Sequence, residues 1–379
     1  MNWIAIRMLT GDRVKFIGLV FGVAFSTLLI TQQLTIFVGL LMRGGVAVEE
    51  ISTANVWVMD PASQTSDVIF PMPITALDRV RSVSGVAYAS PLLRSGATIR
   101  TAAGNLEGVT VIGVDDSSLI GLPRLMIQGT PERLMEPDAV FLDGVGARKL
   151  FGTDKGIIGT QLELNDQRAI ITGIVDSNPT FTSQVTLYTR YSNALNFVPG
   201  TRNRLSFVLV RSIEGVSAET LVERIQKQTG LKARTSRDFS SDGVNFIIEN
   251  TGIPINFGIT VVLGVVVGVA IVGLTFSLFI RDNIKQFGAL KAIGVTNRKI
   301  IGMVAAQSGL VALIGYGLGL MMAVGFIAGG AASSDAFKGF FMPWQIPLIT
   351  AVVVLIMIAL TGLIAIRSVL NTEPASVFR

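Results

Sequence analysis

Charge falls along this chain in blocks. Four stretches, Phe16–Met42, Ile253–Ile280, Ile300–Ser334 and Gly339–Ile366, contain no Asp, Glu, Lys or Arg. Each exceeds the roughly 20 apolar residues that a helix needs to cross a hydrocarbon core of about 30 Å, so the pattern predicts four transmembrane helices. The first run has 27 residues, well beyond the h-region of about 7–15 residues in a cleaved signal peptide, and is expected to stay as an anchor. All the charge lies on the rest of the chain, at a density normal for soluble protein. Residues 43–252 therefore read as a water-facing domain between the first and second helices.

Inside that block the period changes. NVWVMDP (55–61) alternates like a strand closed by Pro; PITALDRVRSV (73–83) then carries Ile74, Leu77, Val80 and Val83 at helical spacing; GVAYASPLL reads as a second strand. The arrangement recurs. LSFVLVRS (205–212) is strand-like, VSAETLVERIQKQTG (216–230) is a helix with Ser217 as N-cap and Gly230 as its stop, and LKARTSRD follows as a strand. Between the two units, over about 94–204, short β-like runs dominate: TVIGVDD, DAVFLDG, TQLELND and AIITGIV. The expected fold is a membrane protein of four transmembrane helices with a large extracytoplasmic α+β domain between helices 1 and 2. That domain comprises two related strand–helix–strand halves around an inserted β-rich lobe.

The short segments set the orientation. Residues 1–15 carry a net charge of +2, residues 281–299 of +4 and residues 367–379 of +1, whereas 335–338 is neutral. Lys and Arg beside helix ends favour the cytoplasm, so both termini and the 281–299 connection are expected inside. Residues 43–252, with 20 positive and 22 negative groups, then lie outside, because long domains cross largely regardless of their charge. The expected order is a cytoplasmic segment 1–15, helix 1 at 16–42, the domain 43–252, helix 2 at 253–280, the cytoplasmic connection 281–299, helix 3 at 300–334, an outer loop 335–345, helix 4 at 346–366 and a cytoplasmic tail 367–379.

Composition removes most enzyme chemistry. The 379 residues are 50% hydrophobic and 15% charged, with no His and no Cys, and the mean hydropathy is +0.60. Triads built on His, Cys nucleophiles, thiolate metal sites and disulfides are excluded. No G-x-x-x-x-G-K-[ST] run occurs, so the chain has no P-loop of its own, and no catalytic, cofactor-binding or metal-ligating residue is assigned. Asp115, Asp116, Asp138 and Asp143 sit in turn-like settings (GVDDSS, PDAVFLDG), where Asp bonds its neighbouring backbone. Within the helices the polar residues are chiefly Gln32, Gln33, Asn256, Gln307 and Tyr316, and the absence of ionisable groups argues against an ion-coupled carrier. Gly18/Gly22, Gly264/Gly268, Gly315/Gly319 and Gly325/Gly329 stand four apart, a spacing that lets helix backbones touch. The first two pairs are candidates for a dimer contact or for packing between helices.

The connection RDNIKQFGALKAIGVTNRKIIGMV (281–304) is the most informative stretch. Ile284, Phe287, Leu290 and Ile293 recur at three-residue steps, Gly294 suits a C-terminal stop, and Thr296 can cap the next helix. The segment is expected to form a short amphipathic helix, docked on a partner or lying on lipid. It resembles the R-E-I-G-x-L-R-A-I-G-A connection of the MacB/FtsX-like ABC transporter permease family, with Gln286, Phe287, Gly288, Ala289, Leu290, Lys291, Ala292, Ile293 and Gly294 in the matching places. Gln286 replaces the family's Glu, and Lys291 its Arg. The ending Glu373-Pro374-Ala375-Ser376-Val377-Phe378-Arg379 is similar to the family's D-P-A-x-A-L-R, from which Ser376 and Val377 depart. The opening NWIAIRMLTGDRVKFIGLVFGVAF resembles the DevC-type subgroup.

The resemblance covers the whole layout and carries expectations of its own. It implies a homodimer in a bacterial inner membrane, served by two separate ABC ATPase subunits that bind ATP and Mg on the cytoplasmic face, with residues 286–294 as the coupling segment. The permease would itself be no enzyme and bind no cofactor. Export would be driven by motion of the periplasmic domain, with an adaptor and an outer-membrane duct as partners. The alternative is a transenvelope signalling subunit that activates a periplasmic cell-wall hydrolase. Membrane lipid, and no nucleic acid, is the remaining expected partner.

Overall fold

The computed structural model describes residues 2–370 apart from 102–103, 181–184, 335–336 and 338–339. The chain divides into two compact units. One contains the chain to Val38, Gly252–Ala332 and the chain from Phe340; the other is built on Gly39–Thr251.

In the first unit the uncharged runs form four long helices: α2 (Arg13–Arg43), α9 (Ile253–Asp282), α11 (Asn297–Ser333) and α12 (Gln345–Leu370). All four are long and apolar enough to cross a membrane. Two shorter helices accompany them, α1 (Asn2–Gly11) and α10 (Ile284–Ala292). One cluster of buried side chains runs through the unit and includes Leu9, Leu19, Val23, Val272, Phe276, Phe279, Phe287, Ile300, Val304, Val311, Met357 and Ile358. Polar ties cross it. Tyr316 donates to the Pro347 carbonyl (2.9 Å), Thr31 donates to Thr350 (3.2 Å), and the buried Gln307 donates to the carbonyl of Ala5 on α1 (2.8 Å).

The second unit contains α3 (Val46–Glu49), β1 (Val56–Met59), β2 (Met72–Pro73), α4 (Thr75–Arg81), β3 (Val86–Arg100), β4 (Leu106–Val114), β5 (Met126–Gln128), β6 (Ala139–Asp143), α5 (Gly144–Phe151), β7 (Gln161–Leu164), β8 (Gln167–Val175), β9 (Thr186–Arg190), α6 (Tyr191–Phe197), β10 (Arg204–Leu205), β11 (Phe207–Ser212), α7 (Ala218–Thr229), β12 (Lys232–Thr235) and α8 (Ser236–Asn250). The two strand–helix–strand units, β1-α4-β3 and β11-α7-β12, interleave. Their strands lie in the order β12-β1-β11-β3, antiparallel throughout, which is the fourth-first-third-second order of a split β-α-β fold. β1 shows why every one of its residues is buried. Val56 and Val58 face α4 and α7 with Leu77, Val80, Leu221 and Ile225, whereas Trp57 and Met59 face the opposite cluster with Phe207 and Phe239 of α8.

The insertion does not start a separate sheet. β3 is 15 residues long; its first part pairs with β11 and its second with β4, and the sheet continues through β9, β6, β8 and β5. A lobe beginning at about residue 94 would therefore begin in mid-strand. The inserted stretch also contains the α-helices α5 and α6 besides its strands. Asp143 caps α5 by accepting from the Gly146 N–H (2.9 Å), and Gly152 ends it at φ +72°.

One element departs from the sequence reading outright. LKARTSRD is a strand only to Thr235; Ser236, Arg237 and Asp238 open α8. Thr235 is the N-cap, its hydroxyl accepting from the Asp238 N–H at 3.1 Å, so the side chain that looks like another strand residue in fact starts the helix. The 216–230 stretch forms α7, with Ser217 accepting from the Thr220 N–H (3.2 Å) and Gly230 at φ +70°.

Candidate functional site

The connection between α9 and α11 folds as α10. α9 stops at Asn283, whose side chain donates to the Phe279 carbonyl (2.8 Å). α10 stops where the Gly294 and Val295 N–H groups bond back to Lys291 and Leu290. Gly294 takes φ +90°, a backbone region that costs an L-residue strain and glycine none. The Thr296 carbonyl then accepts from Lys299 (2.9 Å) and Ile300 (3.2 Å) to open α11. Near α10, Lys15 at the start of α2 bridges Asp12 (2.6 Å) and Asp282 at the end of α9.

The apolar positions of α10 do not form one outward stripe. Phe287 is 1% exposed and belongs to the buried cluster of the membrane unit, with Gly288 buried beside it. Ile284, Leu290 and Lys291 are half-buried; Lys285, Gln286, Ala289, Ala292 and Gly294 are exposed, and Ile293 is 79% exposed. The segment is thus anchored by Phe287 and leaves Gln286, Ala289 and Ile293 exposed. Phe287 and Gly288 are therefore not exposed in this chain, and a bulky residue at Gly288 would be placed at a buried position. The Glu373–Arg379 ending lies outside the described residues.

The glycines of the membrane helices are largely occupied within the chain. A Cβ at Gly22 would lie 2.8 Å from Cγ2 of Ile271, and one at Gly268 would lie 2.5 Å from Sδ of Met357 and 2.9 Å from Cβ of Ser26. At Gly18 and Gly264 the nearest atoms stand at ordinary contact, 3.6 Å from Thr275 and 3.5 Å from Ile30. Gly315 and Gly319 meet Val23 and the Ala24–Thr27 turn of α2, while a Cβ at Gly325 would meet nothing beyond its own helical turn within 4 Å. Gly22 and Gly268 therefore bring α2 and α9 together in one chain, and their replacement reports on that packing before it reports on a dimer. Gln307 and Tyr316 are likewise used as ties rather than left to line a path.

Asp115, Asp116, Asp138 and Asp143 of the second unit are engaged in turns, caps and pairs. Asp115 accepts from the N–H and hydroxyl groups of Ser117 and Ser118. Partial burial works to raise its pKa, but these four bonds together hold it below the usual carboxylate value. Asp116 accepts from Ser192, Asp138 pairs with Arg168 (2.7 Å), and Asp143 caps α5 while accepting from the Thr186 N–H (2.7 Å). Among the described residues no group of three or more His, Cys, Asp or Glu could hold a metal ion. Two features were not expected from sequence: a buried Arg94–Asp67 ion pair, and Tyr188, whose hydroxyl is pushed far above its ordinary pKa by burial and next by the nearby Glu50 charge.

Comparison with known proteins agrees with this layout in both units. The family model described as MacB-like periplasmic core domain matches residues 16–228, more than half of the chain, and the one described as FtsX-like permease C-terminal matches residues 258–374. The chain belongs to the MacB/FtsX-type ABC transporter permeases. The second match spans α10, so the connection described above lies within this permease's family region. Two uncharacterized ABC transporter permeases of Mycobacterium tuberculosis, from strains H37Rv and CDC 1551, are each 26% identical over 254 residues. These alignments cover 67% of this chain and 65% of each relative, so the chain spans just under two thirds of the length of the curated relatives it matches. Among solved structures, the periplasmic region of MacB from Actinobacillus actinomycetemcomitans is 17% identical, with 54% of this chain and 96% of that one covered at a TM-score of 0.39. The extracellular domain of the noncanonic ABC-type transporter YknZ from Gram-positive bacteria is 16% identical, with 48% and 98% covered at a TM-score of 0.36.

Proposed function

We propose that this permease is the membrane subunit on which a separate ATPase acts, and that the exposed face of α10 is where it acts. The observation that carries the proposal is the double character of α10: Phe287 fixes it to the membrane unit while Gln286, Ala289 and Ile293 stand free on the other side. A lever needs both, because a contact that was not anchored would yield under load. ATP and Mg are bound by the partner, whose closure on nucleotide pulls on α10 and, through α9 and α2, on the second unit. The chain works as a homodimer in a bacterial inner membrane with both termini cytoplasmic. The second unit moves outside the membrane to drive export through an adaptor and an outer-membrane duct.

The test is substitution of the exposed face. Ala289→Trp and Gln286→Trp should leave the permease inserted and folded but abolish co-purification of the ATPase and its stimulation by permease. If α10 instead lies on lipid, Lys285→Glu and Lys291→Glu are the harmful changes and the Trp variants are harmless. Full ATPase association in both Trp variants would remove α10 from the mechanism. Capture of a cell-wall hydrolase in place of an adaptor would turn the assignment from export to signalling.

A further inference from the structure

α2 ends at Arg43, turns over Gly44 and Gly45, and restarts as the four-residue α3; a Gly–Gly pair is a common site for such a break. Here the backbone meets that of α8. A Cβ at Gly243 would stand 2.0 Å from the Gly44 carbonyl oxygen, one at Gly44 would stand 2.7 Å from the Gly243 carbonyl oxygen, and one at Gly45 would stand 2.2 Å from the Ser240 hydroxyl. Three glycines on two segments are therefore required for one crossing. Just beyond it, the two adjacent carboxylates of the turn diverge. Glu49 accepts from the Ser240 hydroxyl of α8 at 2.7 Å. Glu50 accepts from both the N–H (2.6 Å) and the side-chain amide (3.2 Å) of Asn178, which follows β8 in the inserted lobe. Val48, 1% exposed, belongs to the cluster that joins Trp57, Phe207 and Phe239 of the base to Ile112, Phe141 and Tyr188 of the lobe.

We infer that Gly44–Glu50 is a yoke: it clamps the end of α2 to α8 and, through Glu50, ties the inserted lobe to that same point. The glycine crossing leaves no side chain to flex between α2 and α8, so displacement of one displaces the other. α8 is in turn fixed to β12 by the Arg234–Asp242 ion pair, with a bond of 2.7 Å from Nε of Arg234. Glu50 and Asn178 carry the yoke to the lobe by directed bonds. Removing that carboxylate should loosen the lobe at this point, on the continuous sheet that still joins it to the base, while leaving the crossing intact.

This inference rests on the proposed motion only for its use, and its test separates the two. The chain has no Cys, so spin labels can be placed singly at Lys155→Cys in the lobe and Glu223→Cys on α7 of the base, both exposed, in the full chain in nanodiscs. Without nucleotide, the unmodified yoke should give one narrow distance. Glu50→Ala should lose it for a broad distribution, and Glu50→Gln, which keeps the accepting oxygen, should retain it. Gly243→Ala, checked for intact folding by its elution, should shift the distance. Equal distributions in wild type, Glu50→Ala and Gly243→Ala would overturn the yoke. With the ATPase and ATP added, absence of any distance change in wild type would overturn the proposed motion instead. A wild-type change that Glu50→Ala reproduces in full would overturn the yoke alone.

Discussion

Two glycines that look alike in the sequence should behave in opposite ways when changed to alanine. Gly319 of α11 faces α2 so closely that a Cβ would lie 2.4 Å from the Ala24 carbonyl oxygen and 2.5 Å from Cβ of Thr27. Neither atom is the free end of a side chain, so relief requires the helices to separate. Overpacking of this kind costs typically 1–3 kcal/mol, and the backbone contact places Gly319→Ala at the upper end, about 3 kcal/mol. Alanine returns about 1 kcal/mol through its better helix propensity, which leaves a net loss of about 2 kcal/mol, roughly a 30-fold change in the folding equilibrium. At Gly264 the nearest atoms are 3.5 and 3.6 Å away on Ile30 and Leu29, which is ordinary contact. There only the propensity term remains, and Gly264→Ala should gain up to about 1 kcal/mol.

The assay is reversible unfolding of the full chain in mixed detergent micelles, followed by circular dichroism, with the midpoint read for each variant. The two variants should differ by about 3 kcal/mol in opposite directions from wild type. Gly22→Ala, with a 2.8 Å approach to Cγ2 of Ile271 and no backbone atom among its nearest contacts, should fall between them. Equal shifts for Gly319→Ala and Gly264→Ala would refute the packing reasoning, and with it the statement that α2 is gripped by α11 more tightly than by the Gly264 turn of α9.

Two predictions concern the second unit. Asp143→Ala removes, from a residue 1% exposed, the acceptor of both Gly146 and Thr186 N–H groups, and should cost about 2–4 kcal/mol, read as faster hydrogen exchange over 144–151; unchanged exchange would remove Asp143 as the cap of α5. Asp115 has a folded pKa below its ordinary value, so the unfolded state binds its proton first and its stabilisation is present above the ordinary value and lost as pH falls through the folded one. Asp115→Ala should therefore weaken protection of the 115–120 turn at neutral pH and make no difference in strong acid; a deficit that persists in acid would contradict the hydrogen-bonded turn.

What the sequence disclosed depended on whether an element carries its own punctuation. The membrane helices announce themselves by the absence of charge, and α7 by Ser217 and Gly230 at its two ends. α5 and α8 had comparable signals, Asp143 with Gly152 and Thr235 three residues before Asp238, but each follows a strand without a break, and the strand pattern conceals them. The continuation of β3 from the base into the lobe, and the parallel pairing of β4 with β9, depend on partners far along the chain and have no local signature. The rotational phase of an all-apolar helix is likewise silent. Nothing in GxxxG spacing separates Gly319, where a Cβ would press on a carbonyl, from Gly325, where one would meet nothing beyond its own helical turn within 4 Å.

α10 shows the same limit in a form that bears on mechanism. Ile284, Phe287, Leu290 and Ile293 are three apart, and at about 3.6 residues per turn each step falls about 60° short of a full circle. Four such positions sweep half the helix circumference, so they cannot share one face. The structure resolves the sweep by turning Phe287 into the membrane unit and leaving Ile293 outside. A strictly one-faced stripe would give either a helix buried on the bundle with nothing to offer, or one held only by its partner. The observed sweep gives a helix fixed along one edge and open along the other. In the proposed coupling, motion imposed on Gln286, Ala289 and Ile293 would pass through Phe287 into the buried cluster it shares with Phe279 and Ile280 of α9.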